Sequence, residues 1–160
     1  MTDEQRFLGL MREHQRIVLR LVGLYANDAE ERKDLEQEVL LQAWKGFPSF
    51  RGEAKFSTWL HRVALNTILT QKRRPKMVER HASLDGQVHA AHDPSPELDD
   101  ADRLRQALRQ LPETDRALIA LHLDGFDNGE AAAILGITAN HVGVKLHRIK
   151  VRLTELLQPN

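Results

Sequence analysis

Residues 128–150 read NGEAAAILGITANHVGVKLHRIK, an order of small, turn-forming and apolar residues that is typical of a helix-turn-helix. Asn128 can cap a first helix, Gly136 can adopt the left-handed conformation that ends it, and Thr138 can cap a second helix. Ala132 is small at the point where the two helices would cross closely. The stretch therefore predicts two helices joined by a tight turn.

The second of these helices has an outer face of one sign. Apolar residues recur at helical spacing and form its predicted buried side: Val142, Leu146, Ile149, Leu153 and Leu156. The residues left outward near its start are Asn140, His141, Val144, Lys145 and Arg148. No acid occurs from residue 139 to residue 153, so this face suits the phosphates and base edges of duplex DNA. A helical hairpin that binds nothing is the alternative.

A glycine, Gly143, lies inside this helix. Gly143 costs about 1 kcal/mol relative to alanine inside a helix, because glycine loses more backbone freedom on folding. We interpret it as a place where the backbone approaches DNA closely.

A second helix with two distinct faces is predicted from Phe50 to Arg74. Its apolar face comprises Phe56, Leu60, Val63 and Thr67. Its other face comprises Lys55, Trp59, Arg62, Asn66 and Arg73. A row of cations, an amide and an indole suits the backbone and unpaired bases of single-stranded nucleic acid. A solvated charged face, with Trp59 at the edge of the core, is the alternative.

The remaining periodicity is also helical, so we predict an all-α fold. A first helix begins with a capping box at residues 2–5 and closes at Asn27-Asp28, and a second runs from about residue 29 to Phe47, where Pro48 ends it. The apolar stripe of the second helix is Leu35, Val39, Ala43 and Phe47. Two short helices, residues 102–110 and 112–123, precede the helix-turn-helix.

The charge of the chain is unevenly distributed. The 160 residues contain 23 basic and 23 acidic side chains, but residues 75–102 carry two basic and seven acidic ones, which leaves both flanking parts mildly basic. Residues 75–97 are rich in proline and polar residues and poor in apolar ones, which is typical of a tether. His89 and His92 are spaced as a zinc pair, although the chain contains no cysteine to complete such a site.

Several classes of protein are disfavoured by what the sequence lacks. Without cysteine there is neither a disulfide nor a thiolate metal site. No stretch approaches the roughly 18 apolar residues of a membrane span, so no membrane insertion is expected. No His-Glu-x-x-His pattern, glycine-rich phosphate loop or nucleophile elbow occurs, so we expect neither an enzyme nor a cofactor or metal. We predict a cytoplasmic protein.

The two basic modules and their tether resemble the bacterial RNA polymerase sigma factors of the extracytoplasmic-function type (ECF, group IV), with sigma regions 2 and 4 only. The motifs that resemble region 2 are Asp34-Leu-Glu-Gln-Glu-Val, Ala43-Trp44, Phe50-Arg-Gly-Glu and the run from Phe56 to Thr67. Those that resemble region 4 are Leu111-Pro112-Glu113, Arg116 and Leu135-Gly136-Ile137.

The resemblance implies two small helical domains joined by a flexible acidic linker. Residues 1–74 would form region 2, a bundle of three to four helices that docks on core polymerase and recognises and melts the −10 element. Residues 75–101 would form the linker. Residues 102–160 would form region 4, a helix-turn-helix domain that reads the −35 element. The implied function is an alternative sigma factor that directs core polymerase to specific promoters.

The resemblance also implies roles for individual residues in region 2. The face that meets the clamp helices of the largest polymerase subunit would comprise Asp34, Gln37, Glu38 and Gln42; a solvated acidic face is the alternative. The contacts to the melted −10 strand would come from Ser49, Phe50, Arg51, Lys55, Trp59, Arg62, Asn66 and Arg73. Phe50 would line a base pocket and Asn66 would read the captured base, whereas Trp59 is equally suited to packing between helices.

In region 4 the −35 duplex would be met by Asn140, His141, Val144, Lys145 and Arg148. Lys145 and Arg148 are expected on phosphates rather than bases. The chain departs from the common family pattern at His141, Gly143 and Val144, which leaves the preferred promoter sequence open. Further implied partners are the polymerase flap and an anti-sigma factor. A stand-alone helix-turn-helix regulator is the alternative function, and it would leave the −10 residues without a role.

Overall fold

The computed structural model of the chain describes residues 1–74 and 99–158. Seven α-helices account for most of these residues: α1 Asp3–Gly23, α2 Ala29–Gly46, α3 Phe56–Arg73, α4 Asp100–Arg109, α5 Glu113–Leu123, α6 Asn128–Leu135 and α7 Ala139–Leu157. Phe47–Ser49 adds a 3₁₀ turn after α2. The two described ranges contain no strand, which confirms the predicted all-α class. None of their helices is long and apolar enough to cross a membrane.

The first module is a bundle of α1, α2 and α3. Its core contains the predicted stripe of α2, with Val39 and Ala43 fully buried, and most of the predicted apolar face of α3, on which Val63 is only partly buried. That face is wider than the sequence indicated, because His61, Leu65 and Ile68 are buried as well. A helix of three turns or more that packs on two sides needs such a broad buried face.

Two boundaries in this module differ from the predicted ones. α1 ends at Gly23 rather than at Asn27, because the carboxylate of Asp28 accepts from the backbone N–H of Glu31 at 2.7 Å and so caps α2 instead of closing α1. α3 begins at Phe56 rather than at Phe50. Residues 50–55 are irregular and include Gly52 at φ 78°, a left-handed conformation that a helix excludes.

The second module consists of α4 to α7, and α6 and α7 form the predicted helix-turn-helix. Gly136 ends α6 at φ 74°, and the hydroxyl of Thr138 accepts from the N–H of His141 at 3.1 Å. The predicted cap of α6 was wrong by one residue: Asp127, not Asn128, accepts from the N–H of Glu130, and the Glu130 carboxylate accepts in return from the N–H of Asp127.

The predicted tether is described only at its end. Asp99 caps α4, so regular structure begins at Asp100, inside the linker predicted to extend to residue 101. Residues 75–98, which include His89 and His92, lie outside the described residues.

The two modules are packed against each other, which the sequence did not predict. Arg109 of α4 donates to the carbonyl oxygens of Gly23 and Ala26, each at 2.8 Å. Arg116 of α5 donates to the carbonyl of Leu24 at 2.6 Å. The last carbonyls of a helix lack partners within that helix, and guanidinium groups stabilise them and the negative end of its dipole. Side chains of the second module therefore complete the end of α1.

Candidate nucleic-acid interface

A cluster of aromatic rings lies where the chain enters α3. Phe47 is almost fully buried at its base, with ring centroids 6.1 Å from Phe50 and 6.3 Å from Trp59. Phe50 and Trp59 are half-buried and lie 5.3 Å apart. The ring of Trp59 also lies 5.3 Å from that of Phe56, so Trp59 packs within the protein. Its indole and the Phe50 ring together form one surface. This surface is wide enough to stack on a base.

Polar and basic residues surround this aromatic surface. The predicted members that are exposed are Ser49, Arg51, Lys55, Arg62, Asn66 and Arg73. Arg62 and Asn66 are four residues apart and therefore lie one above the other on α3. Lys72, which belongs to the same basic run of the sequence, is not available to a phosphate because its ammonium donates to Glu31 at 2.8 Å and is largely buried.

The start of α3 is positive for a second reason. Lys55 occupies the cap position, but no side-chain hydrogen bond caps the helix and its first turn contains no acid. In the described ranges every other helix except α7 has an acidic side chain in its first turn. An acid there would stabilise the helix and neutralise its positive end. α3 and α7 forgo that stabilisation and keep their N-termini attractive to phosphates.

In α7 the structure exposes four of the five predicted contact residues: Asn140, His141, Val144 and Arg148. The fifth, Lys145, is half-buried and donates to the carboxylate of Asp115 on α5 at 3.2 Å. In this arrangement Lys145 anchors the recognition helix to α5, and it reaches a phosphate only if that ion pair opens.

The start of α7 also borders a groove of about 490 Å³. Its lining adds two residues that sequence reasoning did not assign to DNA, Asn128 and His147. Asn128 had been given the capping role that Asp127 performs, which leaves its amide facing the groove. His147 lies three residues after Val144 and shares its helical face, so spacing alone could have found it.

Gly143→Ala is expected to stabilise the chain by about 0.5 to 1 kcal/mol while weakening its binding to duplex DNA. A Cβ atom at Gly143 would lie 3.5 Å from Asn128 Nδ2, an ordinary contact, so the protein itself has room for alanine. Chemical denaturation and duplex affinity measure the two effects. The matched control is Gly9→Ala in α1, where nothing lies within 4 Å. Unchanged duplex affinity in Gly143→Ala would contradict a close approach of DNA.

On α2 the four predicted docking residues form a polar face. Asp34 and Gln37 are exposed, and the amide of Gln42 donates to the Glu38 carboxylate at 2.9 Å. Leu41, which no sequence motif marks, is 44% exposed and lies one turn beyond Gln37 on the same side. An exposed leucine beside acidic groups resembles the apolar centre of a protein interface with a polar rim.

A buried histidine and a carboxylate join the two modules. The ring of His61 has one nitrogen 2.7 Å from the Ser57 carbonyl and the other 2.9 Å from Asp124 Oδ2. Burial by itself raises the pKa of Asp124, but hydrogen bonds from His61 and Arg20 outweigh it and hold this pKa below its usual value.

Within residues 1–74 and 99–158, no group of three or more histidine and acidic side chains is arranged to hold a metal ion. The candidate sites lie on α2, at the start of α3 and at the start of α7.

Comparison with known proteins follows the same division of the chain. Residues 10–76 match the family described as Sigma-70 region 2, and residues 101–153 match Sigma-70, region 4. The chain is 33% identical over 156 residues to the ECF RNA polymerase sigma factor SigM of Mycobacterium tuberculosis, a match that covers 97% of this chain and 79% of SigM. It is 30% identical over 172 residues to the ECF RNA polymerase sigma-E factor of Escherichia coli, covering 98% and 89% of the two chains.

A solved structure has the same fold. The sigma factor RpoE from Bartonella quintana, in complex with the anti-sigma factor NepR, superposes with a TM-score of 0.72 and covers 96% of this chain and 97% of its own. The two sequences are 22% identical, so this likeness concerns the arrangement of the helices.

Proposed function

The chain belongs to the ECF sigma factors, alternative transcription initiation factors that bind core RNA polymerase and direct it to promoters, and from this premise we propose how its two basic surfaces divide the work. The surface at the start of α3 captures the melted −10 strand, and the surface at the start of α7 reads the −35 duplex. The observation that carries the proposal is that these two helices, alone among the described ones, have first turns without acids while presenting exposed polar and basic side chains.

At the −10 element, the aromatic surface of Phe50 and Trp59 offsets the cost of removing a base from its stack. Flipping a base costs a few kcal/mol, and stacking on an aromatic ring returns about 1 to 3 kcal/mol. Asn66 supplies one donor and one acceptor to the exposed base edge. Arg62 and Arg73 hold the strand through its phosphates.

At the −35 element, α7 enters the major groove with its N-terminal residues toward the bases. Asn140 and His141 supply polar contacts, and Val144 supplies an apolar one of the kind that suits a thymine methyl group. Arg148, at the far end of this face, contacts a phosphate.

Asn66→Ala is expected to lower open-complex formation by about tenfold to a hundredfold on promoters that carry the preferred captured base. The loss should be small on promoters that carry another base there, because Asn66 distinguishes the bases rather than holding the strand. Footprinting of open complexes across a promoter series measures this.

Thr70→Ala is the matched control, since Thr70 is exposed one turn further along α3 and has no assigned role. Core binding should be unchanged in both variants. Equal losses on every promoter for Asn66→Ala would remove the base-reading role.

The partners proposed for this chain follow from its relatives. The clamp helices of the largest polymerase subunit bind the face of α2, and the flap binds the second module. An anti-sigma factor is proposed because the structural neighbour RpoE was solved with the anti-sigma factor NepR. Acting with these partners implies a location in the cytoplasm and a function by binding, without a covalent step.

The alternative, a stand-alone helix-turn-helix regulator, is not favoured because it explains only the second module. Residues 10–76, which match Sigma-70 region 2, would then have no function. Reconstitution with bacterial core polymerase tests the proposed function: specific initiation at some chromosomal start sites is expected, and no initiation at any would overturn it.

A further inference from the structure

An ion pair fixes one cation of the recognition helix to a neighbouring helix. The ammonium of Lys145 on α7 donates to the carboxylate of Asp115 on α5 at 3.2 Å. Only 22% of the lysine side chain and 24% of the aspartate side chain are exposed. The pair of Arg152 and Glu155, by contrast, is more than half exposed on both sides. Water and salt screen a sheltered pair much less than an exposed one, so the Lys145–Asp115 pair is the more persistent of the two.

The paired lysine lies beside the surface proposed to meet duplex DNA. Asp115 and Lys145 both line a cavity of about 230 Å³ between α5 and α7. Arg148 lines this cavity and also the groove of about 490 Å³ at the start of α7. A DNA backbone held by Arg148 therefore runs close to the Lys145 side chain.

Asp115 supplies the acid that the sequence of α7 lacks. No acid occurs from residue 139 to residue 153, so along the chain Lys145 looks like a free cation. The carboxylate comes instead from the first turn of α5, where the positive end of that helix also stabilises it. A phosphate that approaches Lys145 must therefore compete with a carboxylate that is already in place.

We infer that Asp115 masks Lys145 from the DNA backbone and thereby limits the binding of α7 to DNA of any sequence. The inference rests on the proposed function, because it concerns the helix that reads the −35 duplex. Contacts to phosphates stabilise complexes with every sequence, whereas contacts to base edges stabilise only the preferred one.

Masking has unequal effects on the two kinds of complex. A nonspecific complex can shift along the duplex until an unmasked Lys145 meets a phosphate. The specific complex is fixed in register by its base contacts, so an unmasked Lys145 gains less there. Masking therefore weakens nonspecific binding more than specific binding, which makes Asp115 a residue that sets specificity.

The test uses the full chain with two variants, Asp115→Asn and Asp115→Asn combined with Lys145→Gln. The first unmasks the lysine, and the second removes both charges of the pair. Both leave polar side chains of similar size in place, so folding should be retained, and thermal unfolding checks this. Binding is measured to a duplex of scrambled sequence and to a duplex that the unchanged chain selects from a randomised pool.

Asp102→Asn is the matched control. Asp102 belongs to the same module, and its carboxylate accepts from Arg105 at 2.9 Å within α4. The control changes the net charge by the same amount and also frees an arginine, but not one on α7. Its affinity for the scrambled duplex should stay within about twofold of that of the unchanged chain.

Asp115→Asn should bind the scrambled duplex more tightly, with a salt dependence steeper by about one phosphate contact. Between about 50 and 200 mM salt it should therefore lose about threefold to fourfold more affinity than the unchanged chain. Its preference for the selected duplex over the scrambled one should fall severalfold. The double variant should match the unchanged chain in affinity and in salt dependence, because a masked cation and an absent one contribute alike.

Three results would overturn the masking. A double variant with a salt dependence flatter by about one phosphate contact would show that Lys145 already binds the backbone in the unchanged chain. Tighter binding that persists in the double variant would be a general effect of removing an acid. Weaker binding by Asp115→Asn would mean that the ion pair only positions α7. If the salt dependences respond as expected but the unchanged chain selects no duplex from the pool, the proposed reading of the −35 element fails and the masking stands.

Discussion

Phe47→Ala is expected to lower the free energy of unfolding by about 3 to 5 kcal/mol, the usual cost of truncating a buried phenylalanine. Only 3% of Phe47 is exposed, and its ring lies 5.2 Å from that of Phe7 on α1 and 6.4 Å from that of Phe56 on α3. One side chain therefore holds three helices and the following loop together. Because a typical domain is stable by 5 to 15 kcal/mol, the loss is a large share of the total.

The same substitution should impair promoter opening, because Phe50 and Trp59 rest on Phe47. Without the Phe47 ring, Phe50 and Trp59 lose their fixed positions. A DNA strand must then order both side chains before it can stack on them. Urea denaturation followed by tryptophan fluorescence measures the stability, since both tryptophans of the chain lie in the first module. Leu8→Ala, on an exposed side chain of α1, is the control and should change stability by less than about 0.5 kcal/mol.

A loss below about 1 kcal/mol in Phe47→Ala would mean that the cluster repacks around the cavity. Unimpaired opening in a variant that has lost the expected stability would separate the aromatic surface from strand capture. Either result would require a different explanation of why four phenylalanines, Phe7, Phe47, Phe50 and Phe56, cluster here with Trp59.

Sequence patterns predicted the features that depend on neighbours along the chain. The stripe of Leu35, Val39 and Ala43 was buried as expected, because every fourth residue of a helix faces the same way. Gly136 and Thr138 end and begin helices as predicted, because a left-handed turn and an uncapped N–H each select few residue types.

The sequence patterns placed two helix ends wrongly, because more than one neighbouring residue could cap or end each helix. Asp127 and Asn128 are both good caps, and only the geometry of the turn decided between them. Tyr25 and Ala26 continue the apolar period of α1, yet the helix stops at Gly23, and the turn before the Asp28 cap binds Arg109 and Arg116 of the second module through its carbonyls. Tertiary contact overrode periodicity there.

Patterns could not reveal the contact between the modules at all. Arg109 and Arg116 look like ordinary basic positions of amphipathic helices, and the main-chain carbonyls that they bind in the first module are more than 80 residues away. Every residue has a backbone carbonyl, so the sequence does not show which carbonyls will accept hydrogen bonds from these arginines. Lys145 was misjudged for a similar reason, since its partner Asp115 lies 30 residues earlier on another helix.

Reversing the charge of the α2 face is expected to have the largest effect on polymerase binding. In Asp34→Lys combined with Glu38→Lys, two acids of the proposed docking face become cations. If the partner surface is basic, as proposed, like charges placed together across the interface cost several kcal/mol. A loss of about 4 kcal/mol corresponds to roughly a thousandfold weaker binding. Glu38 also loses its hydrogen bond from Gln42, but both positions are on the surface, so folding should be little affected.

The measurement is a titration of labelled core polymerase with each variant, and salt dependence identifies the cause. An electrostatic interface should bind more weakly as ionic strength rises in the unchanged chain, and this dependence should flatten or reverse in the double reversal. Glu13→Lys combined with Glu155→Lys is the control, because it changes the net charge equally at exposed sites on α1 and α7. It should leave the affinity within about threefold.

Leu41→Ala completes this test by separating charge from apolar contact on the same face. Its exposed side chain lies one turn beyond Gln37, so an interface centred there should lose affinity without any change in salt dependence. If the control reversal weakens binding as much as the α2 reversal, polymerase responds to net charge and no docking face has been identified. If neither reversal matters and Leu41→Ala is silent, α2 does not meet polymerase, and the first module must engage it through another surface.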